Sequence, residues 1–341
     1  MIPVVDGHND ALLRVWRSGG SLADPSGDEG QLDVPRMREG GIAAGFFAMF
    51  VPAHDEKQDL FAAIARTEYG YELPPEPPLE RERATRIAAE LVAIFERDLT
   101  PVRTVSELER CIAGDAVGGV LHLEGAEPIA PDLANLAAWH ERGLRSLGLV
   151  WSRPNAFGYG VPYRYPGTPD TGPGLTGPGL ALVRACNELG VLVDLSHLDE
   201  AGFFDVARVS NAPLVATHTA AHALTPIPRN LLDTQLDAIR DSGGLVGAVF
   251  DRTMTHPRAE IDADTQLDVL LDQIEYLAGR MGIEHVALGS DFDGCMPIRA
   301  LGDATKMQAL LDGLAARGWP DGDLRALGHG NWLRVLRATW H

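Results

Sequence analysis

Lysine is almost missing: Lys57 and Lys306 are the only two in 341 residues, and arginine supplies the remainder of 29 basic side chains set against 48 acidic ones. The net charge of −19 repels phosphate backbones and anionic lipid, which argues against nucleic acid and membrane as partners. Cysteine is scarce too. Cys111, Cys186 and Cys295 are odd in number, far apart and without CxxC spacing. Neither a zinc knuckle nor a disulfide framework is expected from them; free thiols in a reducing compartment are. No apolar run approaches the roughly 18 residues that span a bilayer. The opening Met1–His8 has neither a basic segment nor an apolar one of the kind that directs secretion. A soluble cytoplasmic protein is the expectation.

What is present reads as one globular unit. Hydrophobic residues make up 45% and charged residues 23%, ordinary for a packed domain and unlike a disordered or fibrous chain. The length falls within the range in which α/β barrels fold as a single domain, here residues 1–341. Short apolar runs rich in β-branched residues recur between stretches of helical periodicity: Pro3–Asp6, Ile42–Phe50, Val117–Glu124, Ser146–Val150, Val191–Leu195, Leu214–Thr217, Gly244–Val249 and Val286–Gly289. Parallel strands in this alternation close into a (β/α)8 barrel. The amphipathic stretch Arg81–Asp98 predicts an outer helix, and Ser106 and Asp199 read as helix N-caps. The prolines of Leu73–Pro78 cannot continue a helix and mark an excursion. A second irregular stretch, Pro154–Pro178, is either a cover over a site or a plain surface loop.

Polar residues at the ends of the apolar runs carry the chemistry. In Asp6-Gly7-His8-Asn9-Asp10, the imidazole and carboxylate two residues apart face the same way and could share a cation; a loop histidine and a capping aspartate is the blander reading. Glu124 closes a hydrophobic strand, where an ionised carboxylate needs a cation or an arginine. His122 points to the same face and reads as a hydrogen-bonded core histidine. His197 and His218 each end a strand of consecutive βα units and so stand side by side, whereas His222 belongs to the following turn. Asp291, in Ser290-Asp291-Phe292-Asp293-Gly294, emerges at the same rim, placed to take a proton, and Asp293 reads as a turn residue. His8, Asp10, Glu124, His197, His218 and Asp291 thus all fall at C-terminal strand ends, where barrel enzymes build their sites. Imidazoles and carboxylates without thiolate suit zinc, or manganese, iron or cobalt.

These motifs resemble those of the membrane (renal) dipeptidases and their bacterial relatives, the M19 metallopeptidases, along essentially the whole chain. Asp6–Asp10 is similar to the family's opening metal motif, Glu124-Gly125 to its bridging glutamate, and Ser196-His197 and Thr217-His218 to its second-metal histidines. Arg229-Asn230 resembles its carboxylate-binding arginine, Ser290–Gly294 its catalytic-aspartate motif, and Gly330–Val335 its C-terminal signature. The resemblance implies a (β/α)8 barrel, often a homodimer. It implies two divalent ions, zinc the expected one, with His8 and Asp10 on one, His197 and His218 on the other, and Glu124 between them. Asp291 would carry the proton, and Arg229 would hold the free carboxylate of a dipeptide-like substrate.

One position departs from the family pattern: Trp151 stands where studied members carry a histidine that contacts the substrate carbonyl. An indole N–H can donate but cannot bear positive charge. Arg153, Asn155 or His122 are the residues that could compensate; Trp151, Asn155 and His122 join Arg229 in the expected substrate-side set. The departure leaves two other functions open, a related amidohydrolase or lactonase acting on N-acyl amino acids or lactones, and a metal-holding binding protein without catalysis.

Overall fold

The computed structural model describes residues 1–27, 30–54, 64–67, 70–73, 76–261 and 264–340. Eight strands form a closed parallel barrel: β1 (Val4–Asn9), β2 (Ile42–Phe50), β3 (Gly118–Glu124), β4 (Leu144–Gly148), β5 (Leu192–Asp194), β6 (Val215–Thr219), β7 (Leu245–Ala248) and β8 (Val286–Leu288). Each pairs with its neighbours in sequence, and β8 returns to β1 through Asp6 opposite Leu288. The fold is a TIM barrel, as the alternating pattern implied. Helices wrap its outside, so the strands are buried on both faces and read as continuous apolar runs rather than alternating ones.

The helix Arg81–Asp98 has the expected bounds, and it buries Ala84, Ile87, Ala88, Leu91, Val92 and Phe95, one stripe at helical spacing. Asp199 caps Glu200–Val209 as expected, its side chain accepting from Gly202 N. Ser106 does not cap. The helix Val105–Ile112 begins one residue after Thr104, whose hydroxyl accepts from Glu107 N while the Glu107 carboxylate accepts from Thr104 N. This reciprocal pair satisfies two N–H groups at once and outcompetes a lone serine inside the first turn. The three cysteines are free. Among the described residues, no helix is long and apolar enough to cross a membrane.

The two irregular stretches meet over the C-terminal mouth of the barrel. Arg164–Tyr165 pairs antiparallel with Tyr71–Glu72, which pairs with Ala65–Arg66, giving a small three-stranded sheet. Pro74 and Pro75 of the proline-rich stretch lie outside the described residues. Leu73 N donates to Tyr163 O (2.8 Å), and Val161 N donates to His197 O (2.8 Å), tying this sheet to the barrel rim. His222 Nε2 lies 2.8 Å from Gly167 O and fastens the far end. The stretch after β4 is therefore a cover and not a plain surface loop.

At the opposite end, Trp332 of the C-terminal helix Asn331–Thr339 closes the barrel floor, fully buried with its indole N–H donated to Leu288 O (3.2 Å). Gly7 on β1 is what makes room for it. A Cβ there would collide with the Trp332 ring and come within 2.9 Å of the Leu288 and Thr217 carbonyl oxygens. Gly7→Ala should therefore lose about 1–3 kcal/mol of stability through overpacking, read as a lowered urea midpoint with unchanged slope.

Candidate metal centre

Five side chains reach one point of the mouth from four strands. His8 and Asp10 come from the end of β1, Glu124 is the last residue of β3, His197 follows β5, and His218 lies in β6; none is more than 5% exposed. Asp10 occupies the N-cap position of the helix Ala11–Ser18 but makes no capping bond, which leaves its carboxylate turned inward. Glu124 divides its two oxygens between two groups of partners. Oε2 lies 3.5 Å from His8 Nε2, itself 3.7 Å from Asp10 Oδ2. Oε1 lies 3.0 Å from His197 Nε2 and 3.7 Å from His218 Nε2, and those two nitrogens are 3.1 Å apart.

These separations test whether metal ions fit. Two ligand atoms of a tetrahedral site, each about 2.0–2.1 Å from zinc, stand about 3.3 Å apart. Both groups match that spacing, and the donors are of the right kind. Buried polar atoms with nothing to bond point the same way: His8 Nε2 and Asp10 Oδ1 have no hydrogen-bond partner. The electrostatics agree. Burial opposes charge on His8, yet Glu124 and Asp10 outweigh it and hold its pKa well above the ordinary value. Burial likewise disfavours the Glu124 carboxylate, but His8 and His197 pull it well below the usual range. A charge cluster this deep survives only with internal or bound countercharge.

A surrounding set of hydrogen bonds orients the donors. His197 Nδ1 lies 2.9 Å from Ser152 Oγ, and His218 Nδ1 lies 2.9 Å from Thr217 Oγ1. Thr217 in turn donates its hydroxyl (2.6 Å) and its N–H (2.8 Å) to Asp194. Asp6, the first residue of the opening motif, is not among the converging donors. It accepts from Ser290 N (2.7 Å) and Ser290 Oγ (2.9 Å), and so clamps the start of the Asp291 loop to β1. Asp293 is more than a turn residue, since its carboxylate accepts from Arg14 Nε (3.0 Å) and Gln31 N (2.8 Å).

Asp291 is held beside this centre at positive φ (61°), as is His197 (70°), in a backbone region that non-glycine residues adopt rarely and often at functional sites. Its carboxyl and that of Asp10 both lie against Gly294. Burial, then repulsion from Asp10 and Glu124, raises its pKa well above the ordinary value. A Cβ on Gly294 would run into both carboxylates, so this position must stay small.

The other expected residues divide. Arg229 is 4% exposed; one terminal N–H donates to His218 O (3.3 Å), Nε has no partner, and its charge adds to burial in lowering the pKa of His197 and His218. Trp151 is at the centre, its ring 5.9 Å from that of His197 and packed on Phe50 (5.0 Å) and Tyr163 (5.8 Å). Asn155 is elsewhere. Its amide donates to Leu149 O (2.8 Å) and accepts from Phe157 N (2.8 Å), so it shapes a turn. Arg153 is likewise committed, donating to Glu127 (2.8 Å), Glu76 (3.0 Å) and Val51 O (2.8 Å). His122 sits behind the centre, 2.8 Å from Ser146 Oγ, its pKa lowered to about 4 by burial and by His8.

Two residues at the mouth had no signal in the sequence. Tyr163 comes from the cover and packs its ring on Trp151 (5.8 Å); burial pushes its pKa up. Asp251 follows β7, accepts from Thr253 N (2.8 Å), and is raised to about 6 by burial.

A TIM barrel whose C-terminal mouth gathers buried imidazoles and carboxylates in this way defines a metal-dependent hydrolase. A family model described as membrane dipeptidase (peptidase family M19) matches residues 1–340, and the chain belongs to that family: it is a dipeptidase and a metallopeptidase. The crystal structure of a metallo peptidase from Rhodobacter sphaeroides, liganded with a phosphinate mimic of the dipeptide L-Ala-D-Ala, has a TM-score of 0.94 at 44% identity, covering 99% of each chain. A second family M19 structure, dipeptidase AC, gives the same TM-score of 0.94 and 44% identity over 99% of each chain. Dipeptidase aclJ of Aspergillus oryzae is 29% identical over 357 residues, which span 100% of this chain and 79% of that protein.

The Asp6 clamp can be tested without touching the converging donors. Asp6→Ala leaves Ser290 N unsatisfied in the core and Ser290 Oγ only its longer bond to His8 O (3.3 Å), and should cost about 1–3 kcal/mol, measured by denaturant unfolding; Asp6→Asn, which keeps an acceptor, should cost less.

Proposed function

We propose that this chain hydrolyses dipeptides bearing a free C-terminal carboxylate, at a centre of two divalent ions with zinc the native metal. His8 and Asp10 would hold one ion, His197 and His218 the other, with Glu124 shared between them. The single observation that carries this reading is the division of Glu124, one oxygen turned to His8 and the other to His197 and His218. Ions held there would polarise a carbonyl and acidify water at neutral pH.

The chain's own groups supply the rest. Arg229, buried and with Nε free of partners, is placed to fork onto the substrate's carboxylate, the planar pairing for which guanidinium is suited. That contact restricts the substrate to a peptide ending within the pocket. Asp291, whose environment favours its protonated form, holds the proton that the leaving amine requires. Trp151 walls the site with Tyr163 and the cover, excluding water from the scissile bond. The phosphinate ligand of the Rhodobacter sphaeroides relative mimics L-Ala-D-Ala, which supports acceptance of a D-residue at the second position alongside L-Xaa-L-Xaa substrates. The reading places the work in the cytoplasm and calls for neither nucleic acid nor membrane; a homodimer is the expected assembly.

The test is a zinc-loaded preparation assayed against L-Xaa-L-Xaa and L-Xaa-D-Xaa dipeptides for released amino acid. Turnover of one or both sets is expected. Confirmed metal with no turnover on any would reject the reading, and extending the screen to N-acyl amino acids and lactones would identify the related hydrolase instead. His218→Ala should lose one equivalent of metal by elemental analysis together with activity. Asp291→Asn should keep both equivalents while kcat falls by about 100-fold or more. Arg229→Met should raise KM for free dipeptides by roughly 10–100-fold, a loss of about 1.5–3 kcal/mol for a charged hydrogen bond, and leave C-terminally amidated dipeptides, already poor substrates, unchanged.

A further inference from the structure

Of the three imidazoles that converge on the centre, two have their outer nitrogens satisfied, His197 by Ser152 and His218 by Thr217. His8 does not. Its Nε2 faces Asp10 and Glu124, and its Nδ1, across the ring, has no partner although the side chain is fully buried. A histidine that binds metal almost always hands its second N–H to an acceptor, which fixes its tautomer and the angle of its ring.

The residues behind His8 show where that acceptor belongs. His122 meets the His8 ring edge-on, with centroids 5.1 Å apart, and its own Nε2 is also buried and unpartnered. Asp194 Oδ2 accepts the Thr217 hydroxyl and lies 3.7 Å from His122 Nε2, too far for a hydrogen bond between them. His8, His122 and Asp194 each offer an atom to a common point, the three within 4.8 Å of one another. Points no farther apart than that share a centre within about 2.8 Å of each, close enough for one small molecule to bond all three.

We infer that one buried water is bound between His8, His122 and Asp194, and that through it His122 positions His8 as a metal ligand. The hydrogen bonds balance. His8 Nδ1–H donates to the water, and the water donates to Asp194 Oδ2. If His122 Nδ1–H donates to Ser146 Oγ, then His122 Nε2 accepts the second water proton. If Ser146 donates to Nδ1, then Nε2–H donates to the water instead. Two donors and two acceptors on one molecule serve either tautomer, and three polar partners are what buried waters ordinarily have. A cation at the same point would require His8 to give up its Nδ1 proton while Nε2 serves another ion, so water is the ligand chemistry the site favours. His122 is thus a positioning residue, acting on the metal from behind without touching substrate.

This inference rests on the reading of His8 as a metal ligand, and the experiment separates the two. A high-resolution crystal structure of the zinc-loaded protein should show one water within about 2.6–3.2 Å of His8 Nδ1, His122 Nε2 and Asp194 Oδ2. His122→Phe, which keeps the ring shape and removes its polar atoms, should weaken one of the two ions by about 10–100-fold in chelator competition. The same variant should alter the cobalt(II) absorption spectrum of one site and leave KM for dipeptides unchanged. His122→Gln, able to reach the water again, should restore most of the affinity. Absence of the water from the wild-type density overturns the inference whether or not the variants fold. So do both ions bound at wild-type strength in His122→Phe, an outcome that leaves the proposed function standing. A wild-type chain that takes up no stoichiometric metal sinks both.

Discussion

An ionised carboxylate at the end of a barrel strand, 4% exposed, is costly unless positive charge stands on both of its free sides. For Glu124, His8, held charged, meets that demand on the β1 side, while the imidazoles from β5 and β6 are held neutral by burial, so on that side the demand falls to a bound cation. Because β3 lies between β1 on one side of the ring and β5 and β6 on the other, one glutamate oxygen can turn toward each. The barrel supplies the spacing and the carboxylate supplies the reason for the histidines to converge.

Around this charge pair, the neighbouring polar residues work as anchors. Asp6 binds the Ser290 turn to β1, Asp194 binds Thr217 and through it His218, and Asp293 binds Arg14 and Gln31 at the rim. Each anchor joins segments far apart in sequence, so the donors are fixed by the fold as a whole. That accounts for the positive φ of His197 and Asp291: the backbone is held in a conformation of low population because the contacts on either side determine where those side chains must go.

The strands were legible because a parallel barrel buries both of their faces, and continuous Val, Leu and Ala runs have no other economical use. Their ends were less so. β1 runs on through Gly7, His8 and Asn9, and β6 through His218 and Thr219, where polar side chains interrupt the apolar pattern while the backbone keeps its ladder. The residues that end the hydrophobic signal are the ones the strand exists to present. Composition likewise pointed to Ser106 as a cap, although the Thr104–Glu107 spacing carried the stronger signal. Tyr163 and Asp251 reach the mouth through contacts between distant segments and leave no periodicity to find. Trp151 was legible as a departure; that Arg153 and Asn155 are bound up in other contacts was not, because a side chain's existing partners are invisible until the chain is folded.

The cover has an evolutionary corollary. It is stitched from two pieces about ninety residues apart, Tyr71–Glu72 and Arg164–Tyr165, whose ladder is their own and which meet the rim through Val161 N and the Tyr163 ring. Arg153 adds a rivet, joining Glu76 beyond the first piece to Glu127 on the barrel side. Selection on substrate preference can therefore act on a lid built largely apart from the ring of donors and joined to it at few points. The two lid segments must change together, since a lengthened loop on one side loses its ladder partner on the other. Diversity among relatives should accordingly appear as paired insertions in these two places over an unaltered ring of donors.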